Sequence, residues 1–223
     1  MYMRAYFESG FYVLYLVFII GLGIYLLIKS KDKKEYLLFG LACFILGAGD
    51  SFHLVPRAIG LFNKTLDSPD QYLAMWLGIG KLVTSITMTI FYLLFYFFIY
   101  KRSVTKRNIY VDITVYVLVA TRFILCAFPQ NGWISNNSPL IWGICRNIPF
   151  VLLGILVIIL CFKHLREFKY FKLLWIAIIL SFGFYLPVVL FASMASWVGM
   201  LMLPKTICYM WIGVMGFLDY KKS

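Results

Sequence analysis

Residues 10–29, GFYVLYLVFIIGLGIYLLIK, run directly into the basic tract KSKDKKE at 29–35. The first segment carries no charge before Lys29 and has about the 20 apolar residues that an α-helix needs to cross a bilayer. A cluster of cations directly after such a run is typical of a cytoplasmic loop. The pairing of the two segments predicts a membrane-spanning helix.

The same alternation continues to the end of the chain. Of the 223 residues, 63% are hydrophobic and 13% are charged, whereas a soluble domain has about 25% charged residues. We therefore predict an all-α fold, a polytopic integral membrane protein in which residues 1–223 form a single domain of seven transmembrane helices. The predicted spans are about 10–29, 36–58, 73–100, 109–128, 140–162, 173–193 and 197–218.

The connecting tracts differ sharply in charge. Basic tracts lie at 29–35, 101–107, 163–172 and 219–223, and between them lie tracts with few charges at 62–71, 129–139 and 193–196. The positive-inside rule makes the basic tracts cytoplasmic, with the N-terminus extracytoplasmic and the C-terminus cytoplasmic. This distribution explains the net charge of +12 without a nucleic-acid partner. We expect a protein of the plasma membrane.

Ionisable residues inside the spans are the candidate functional residues, because each costs at least about 2.5–3.5 kcal/mol to insert. A rise of 1.5 Å per residue places five of them in one layer, about 9–12 Å below the outer surface. Two more lie nearer the mouth of the bundle. The layer holds Asp50, Lys81, Arg122, Arg146 and Lys205, and the mouth holds His53 and Arg57.

Polar neighbours and prolines accompany these charges. In the stretch GAGDSFHLVPRAIG (47–60), Asp50, His53 and Arg57 fall on one stripe of the helix. Pro56 removes a backbone donor from the same stretch, which predicts a kink or local unwinding. The third span places Thr84 and Ser85 beside its lysine, and the fifth places Asn147 beside its arginine. Irregular backbone at membrane depth is tolerated only around a protein-lined or wet cavity.

The charges of this layer do not balance, because one carboxylate faces four cations, or five with Arg57. Burying cations without a counter-ion is energetically costly. We therefore expect a bound anion to neutralise part of the positive charge of this layer. Our hypothesis is that the protein binds, and transports or senses, an anionic small molecule or lipid headgroup, with membrane lipids around it. Asp50 would orient one cation. The predicted ligand-binding residues are Arg57, Lys81, Thr84, Ser85, Arg122, Arg146, Asn147 and Lys205.

Three alternatives remain open. Each cation could extend its apolar stem and place its charge among the outer headgroups. The protein could be an intramembrane enzyme acting on a lipid headgroup or phosphate-bearing substrate, with Asp50 and His53 as acid–base residues. It could also be a subunit that pairs its cations with an acidic partner. We expect no cofactor and no metal site, because His53 is the one histidine within the predicted spans.

Overall fold

The computed structural model describes residues 2–30, 32–66, 68–191 and 196–222. These residues form helices and connecting turns without a strand, and seven of the helices are long and apolar enough to span a membrane. The prediction of an all-α bundle of seven candidate membrane helices is confirmed. The helices are α1 (Tyr2–Lys29), α2 (Lys34–Phe62), α3 (Gln71–Ser103), α4 (Ile109–Ala127), α5 (Leu140–His164), α6 (Leu174–Phe191) and α7 (Met202–Lys222).

Several helix ends differ from the predicted spans. Helix α1 begins at Tyr2 instead of residue 10, because a helix can continue past its apolar run. The last connection differs most. A short 3₁₀ helix, Ser196–Leu201, precedes α7, which begins five residues later than predicted. Pro204 then falls in the first turn of α7. Backbone N–H groups in the first turn have no acceptor within the helix, so a proline there removes no helical hydrogen bond. Residues 192–195 of the predicted boundary lie outside the described residues.

The backbone of α2 stays helical through Pro56, so the expected local unwinding is absent there. Glycines on α2 instead permit close packing against its neighbours. A methyl group added at Gly47 would come within 2.6 Å of Ile19 and Ile20 on α1. A methyl group added at Gly49 would overlap the side chain of Thr87 on α3. Helix α2 is therefore held tightly between α1 and α3.

Aromatic side chains fill the middle of the bundle. Phe91, Tyr92 and Phe150 are at most 2% exposed. Tyr92 packs edge-on against Phe150, with 5.4 Å between ring centroids. At the end of the bundle with the C-terminus, the carboxylate of Asp219 accepts a hydrogen bond from Arg102 Nε at 2.6 Å. This ion pair lies at the end of the bundle opposite the charged layer, whereas the aromatic core reaches that layer through Phe150.

Candidate functional site

A cavity of about 550 Å³ lies at the end of the bundle that carries the N-terminus. Six helices, α2 to α7, contribute to its lining, together with the α4–α5 loop. All eight predicted ligand-binding residues line it, and so does His53, whereas Asp50 does not. Its polar and charged lining residues are His53, Arg57, Lys81, Thr84, Ser85, Arg122, Asn136, Ser138, Arg146, Asn147, Tyr185 and Lys205.

Arg122 is the most buried cation of the cavity, with 1% of its surface exposed. Its Nη1 donates to the backbone carbonyl of Arg146 and, at 2.9 Å, to Asn147 Oδ1. Its Nε donates to Thr89 Oγ1 at 3.2 Å. The guanidinium carbon lies 4.4 Å from the ring centroid of Phe150, a cation–π distance. Neutral groups hold this cation in place without cancelling its charge.

Arg146 is held in the same manner by the α4–α5 loop. Its Nη1 donates to Asn131 Oδ1 at 2.7 Å and to Ser138 Oγ at 2.8 Å. Its guanidinium carbon lies 4.5 Å from the ring centroid of Trp133. The loop in turn packs closely on α3, because a methyl group added at Gly78 would overlap the backbone of Trp133. The loop therefore fixes the position of a cation and forms part of the cavity wall.

Two lysines complete the basic lining at different depths. Lys81 is exposed near the cavity mouth, and its Nζ donates to Asn136 Oδ1 at 2.8 Å. Lys205 is 5% exposed and has no hydrogen-bond or ion-pair partner within the described part of the chain. Its Nζ lies 5.0 Å and 5.6 Å from the ring centroids of Tyr185 and Tyr209. Burial of Lys205 and Arg122 inside the protein contradicts the alternative in which these two cations extend into the outer headgroups.

Arg57 has a carboxylate partner that the sequence interpretation missed. Its Nη2 lies 3.4 Å from Glu8 Oε2, and its Nε donates to the hydroxyl of Tyr12 at 2.9 Å. The side chain of Glu8 is fully buried. Glu8 precedes the predicted first span, which begins at about residue 10 with the apolar run. An acid two residues before such a run was the available signal.

Asp50 lies behind the cavity wall. Its carboxylate accepts a hydrogen bond from the hydroxyl of Tyr15 on α1 at 2.6 Å. Asp50 and Lys205 form no ion pair within 4 Å in the described structure. His53 Nδ1 is buried and has no hydrogen-bond partner among the described residues. The structure therefore does not join Asp50 and His53 by a hydrogen bond, although they share a helix.

The charge of the cavity lining is strongly one-sided. Five cations line it, and no carboxylate does so among the described residues. The two nearby acids, Glu8 and Asp50, lie outside the lining and contact Arg57 and Tyr15, respectively. In the described part of the chain, His, Cys, Asp and Glu residues form no group of three or more that could hold a metal ion. The chemistry available to the cavity is cationic and hydrogen-bonding.

Tyr185, Asn136 and Ser138 also line the cavity, although the sequence interpretation did not select them. Tyr185 donates a hydrogen bond to Asn147 Oδ1 at 2.6 Å, which places it beside the deepest arginine. Nothing distinguishes it in a chain with 16 tyrosines. The other two belong to a predicted outer loop, and their role depends on how that loop folds back over α3.

Comparison with known protein families, curated proteins and solved structures gives no match for this chain. The case for its function therefore depends on the geometry of the cavity.

Proposed function

We propose that this protein binds an anionic small molecule or a lipid headgroup in its basic cavity. The observation that carries the proposal is the presence of five cations and no carboxylate in the described cavity lining. Arg122 and Arg146 present planar guanidinium groups, which suit the oxygens of a phosphate or carboxylate. Neutral acceptors orient both arginines, so that their positive charge stays available to a ligand.

The proposal includes an orientation in the membrane. Thirteen of the 20 Lys and Arg residues that the structure describes lie at the end of the bundle opposite the cavity, in or beside its connecting tracts. The positive-inside rule would place that end in the cytoplasm and open the cavity to the extracytoplasmic side of the plasma membrane. The charged layer would then lie in the outer half of the bilayer.

The orientation can be tested with single cysteines added at Lys64 and Lys106, at opposite ends of the bundle. The native cysteines are buried or half-buried, so their background labelling should be low. In intact cells, a membrane-impermeant maleimide should label Lys64→Cys and spare Lys106→Cys. Labelling of the second position alone would reverse the proposed orientation.

Binding can be tested with inorganic phosphate and purified protein in nanodiscs of phosphatidylcholine. Arg122→Gln and Lys205→Gln should each weaken phosphate binding by about tenfold or more, because each removes a buried cation from the lining. Arg107→Gln is the matched control, since Arg107 is 45% exposed and lies at the other end of the bundle. Equal phosphate affinity in all four proteins would refute the proposal.

One observation favours the enzyme as a second proposal. His53 lines the cavity, and its buried Nδ1 has no partner in the described structure. Rotation of the imidazole toward the cavity would let this nitrogen exchange a proton with a bound substrate. An enzyme acting on phosphate esters should release nitrophenol from para-nitrophenyl phosphate, and His53→Gln should abolish turnover while preserving phosphate binding. Phosphate binding by wild-type protein without turnover would favour a binding protein.

The subunit alternative receives no comparable support. It requires the cations to lie on the exterior of the bundle, where an acidic partner could reach them. Arg122 and Lys205 instead lie inside the bundle, at 1% and 5% exposure.

A further inference from the structure

A second depression, which we call the α1–α2 groove, lies on the outer face of the bundle. It has a volume of about 410 Å³, and its lining is almost entirely apolar. Val13 on α1 and Val55 on α2 both line it and are 62% and 49% exposed. In a membrane, such a surface would face the hydrocarbon of the lipid. The groove therefore has the chemistry of a site for an apolar chain.

The groove and the basic cavity share one wall. Tyr12 lines the groove, Arg57 lines the cavity, and Arg57 Nε donates to the Tyr12 hydroxyl at 2.9 Å. Glu8 closes the same wall, because its Oε2 accepts from Tyr12 at 2.9 Å and lies 3.4 Å from Arg57 Nη2. We call Glu8, Tyr12 and Arg57 the Arg57 partition. It is the contact that separates a lipid-facing groove from a cationic cavity.

Ser9, on the α1 side of the groove, has a buried hydroxyl without a hydrogen-bond partner among the described residues. The residue lines the groove and is 8% exposed. A buried hydroxyl without a partner is unfavourable. Rotation of the Ser9 side chain toward the groove would let it donate a hydrogen bond to an oxygen near the headgroup of a bound lipid.

The size and charge of the cavity restrict the headgroup. About 550 Å³ is the volume of a small-molecule pocket, so a long chain must lie outside it. The five lining cations exceed the two nearby acids, Glu8 and Asp50, by three positive charges. This excess suits a phosphate group better than a single carboxylate.

We infer that the ligand is a membrane amphiphile with a phosphate-bearing headgroup in the cavity and an apolar chain in the α1–α2 groove. This inference rests on the proposed function, because it names the ligand class for the same cavity. The Arg57 partition is the side entrance: its arginine exchanges the Glu8 carboxylate for the headgroup phosphate as the chain passes into the groove.

The test compares two radiolabelled probes, inorganic phosphate and hexadecyl phosphate, on protein in micelles of dodecyl maltoside, a detergent that carries no phosphate and so does not compete with either probe. Val55→Trp places a bulky side chain in the groove. It should weaken hexadecyl phosphate binding by about tenfold or more and leave inorganic phosphate binding unchanged. Val117→Trp is the matched control, because Val117 is 57% exposed on α4 and lines neither the groove nor the cavity. It should alter neither affinity.

Unchanged binding of hexadecyl phosphate by Val55→Trp would overturn the inference, and so would an equal loss for both probes. The wild-type protein could also prove to be a dimer that Val55→Trp converts to a monomer without changing hexadecyl phosphate binding. That result would assign the groove to a second copy of the chain and would overturn the inference. Failure of the proposed function is distinguishable. In that case Arg122→Gln and Lys205→Gln would bind inorganic phosphate as wild type does.

Discussion

Replacing Glu8 with glutamine should strengthen the binding of an anion in the cavity. The Glu8 carboxylate is fully buried and lies 3.4 Å from the guanidinium of Arg57, a cation that lines the cavity. Glutamine has nearly the same shape, and its carbonyl oxygen can accept the hydrogen bonds from Arg57 and Tyr12. The substitution therefore removes one negative charge and preserves the geometry of the wall.

The magnitude follows from the distance between the charges. A phosphate on the cavity side of Arg57 would lie about 7 Å from the Glu8 carboxylate, on the opposite side of the guanidinium. Two unit charges at this distance repel by about 2.4 kcal/mol at an effective dielectric constant near 20. The Arg57 side chain is 15% exposed, so screening reduces this repulsion to about 1–2 kcal/mol. Relief of that repulsion lowers the Kd about five- to thirtyfold.

The assay is equilibrium binding of radiolabelled inorganic phosphate to protein in phosphatidylcholine nanodiscs. Asp219→Asn is the matched control, because it also neutralises a buried carboxylate paired with an arginine, Arg102, but at the opposite end of the bundle. It should leave the Kd unchanged. An unchanged or weaker affinity in folded Glu8→Gln would refute the reasoning. An equal gain in Asp219→Asn would refute it too, because the effect would then come from net charge alone.

Three further substitutions test the site and its support. Arg122→Lys keeps the charge but loses the planar fork, so phosphate binding should weaken about tenfold in the same assay; equal affinity would show that charge alone is sufficient. Gly49→Ala should lower the apparent melting temperature, whereas Gly21→Ala should have little effect, because an added methyl overlaps α3 only in the first case. Tyr15→Phe should destabilise the protein by about 1.5–3 kcal/mol, because it removes the hydrogen bond to the Asp50 carboxylate; an unchanged melting temperature would contradict this.

The helices, and the presence of the predicted cations in one cavity, were predictable from the sequence, because both follow from lengths. The hydrocarbon core fixes the number of apolar residues in a span, and the helical rise converts position into depth. Arg122 and Lys205, which are 83 positions apart in the chain, therefore reach one cavity as expected. The start of α7 was less predictable, because apolar residues continue across the 3₁₀ segment Ser196–Leu201.

Helix rotation was not predictable from the sequence. Asp50, His53 and Arg57 share a stripe of α2, yet only the last two line the cavity. Asp50 instead contacts Tyr15, because α1 covers that part of α2. An amphipathic stripe is wide enough to contact two neighbouring helices. Only the packing of the bundle determines which residue of the stripe contacts which helix. The same limit applied to Glu8, whose burial depends on where α1 crosses α2.

Arg122 and Arg146 in the cavity are held differently from Arg102 at the other end of the bundle and from Arg57, which pairs with Glu8. This contrast supports a binding role for the cavity. At the end with the C-terminus, Arg102 is paired with the carboxylate of Asp219 at 2.6 Å. In the cavity, Arg122 and Arg146 are held by amide, hydroxyl and carbonyl oxygens. A carboxylate partner neutralises a cation and stabilises the fold, whereas a neutral acceptor fixes its direction and leaves the charge in place. Preorganised, uncompensated charge is what an anion site requires, and because it is costly in an empty bundle, binding of an anion should also stabilise the fold.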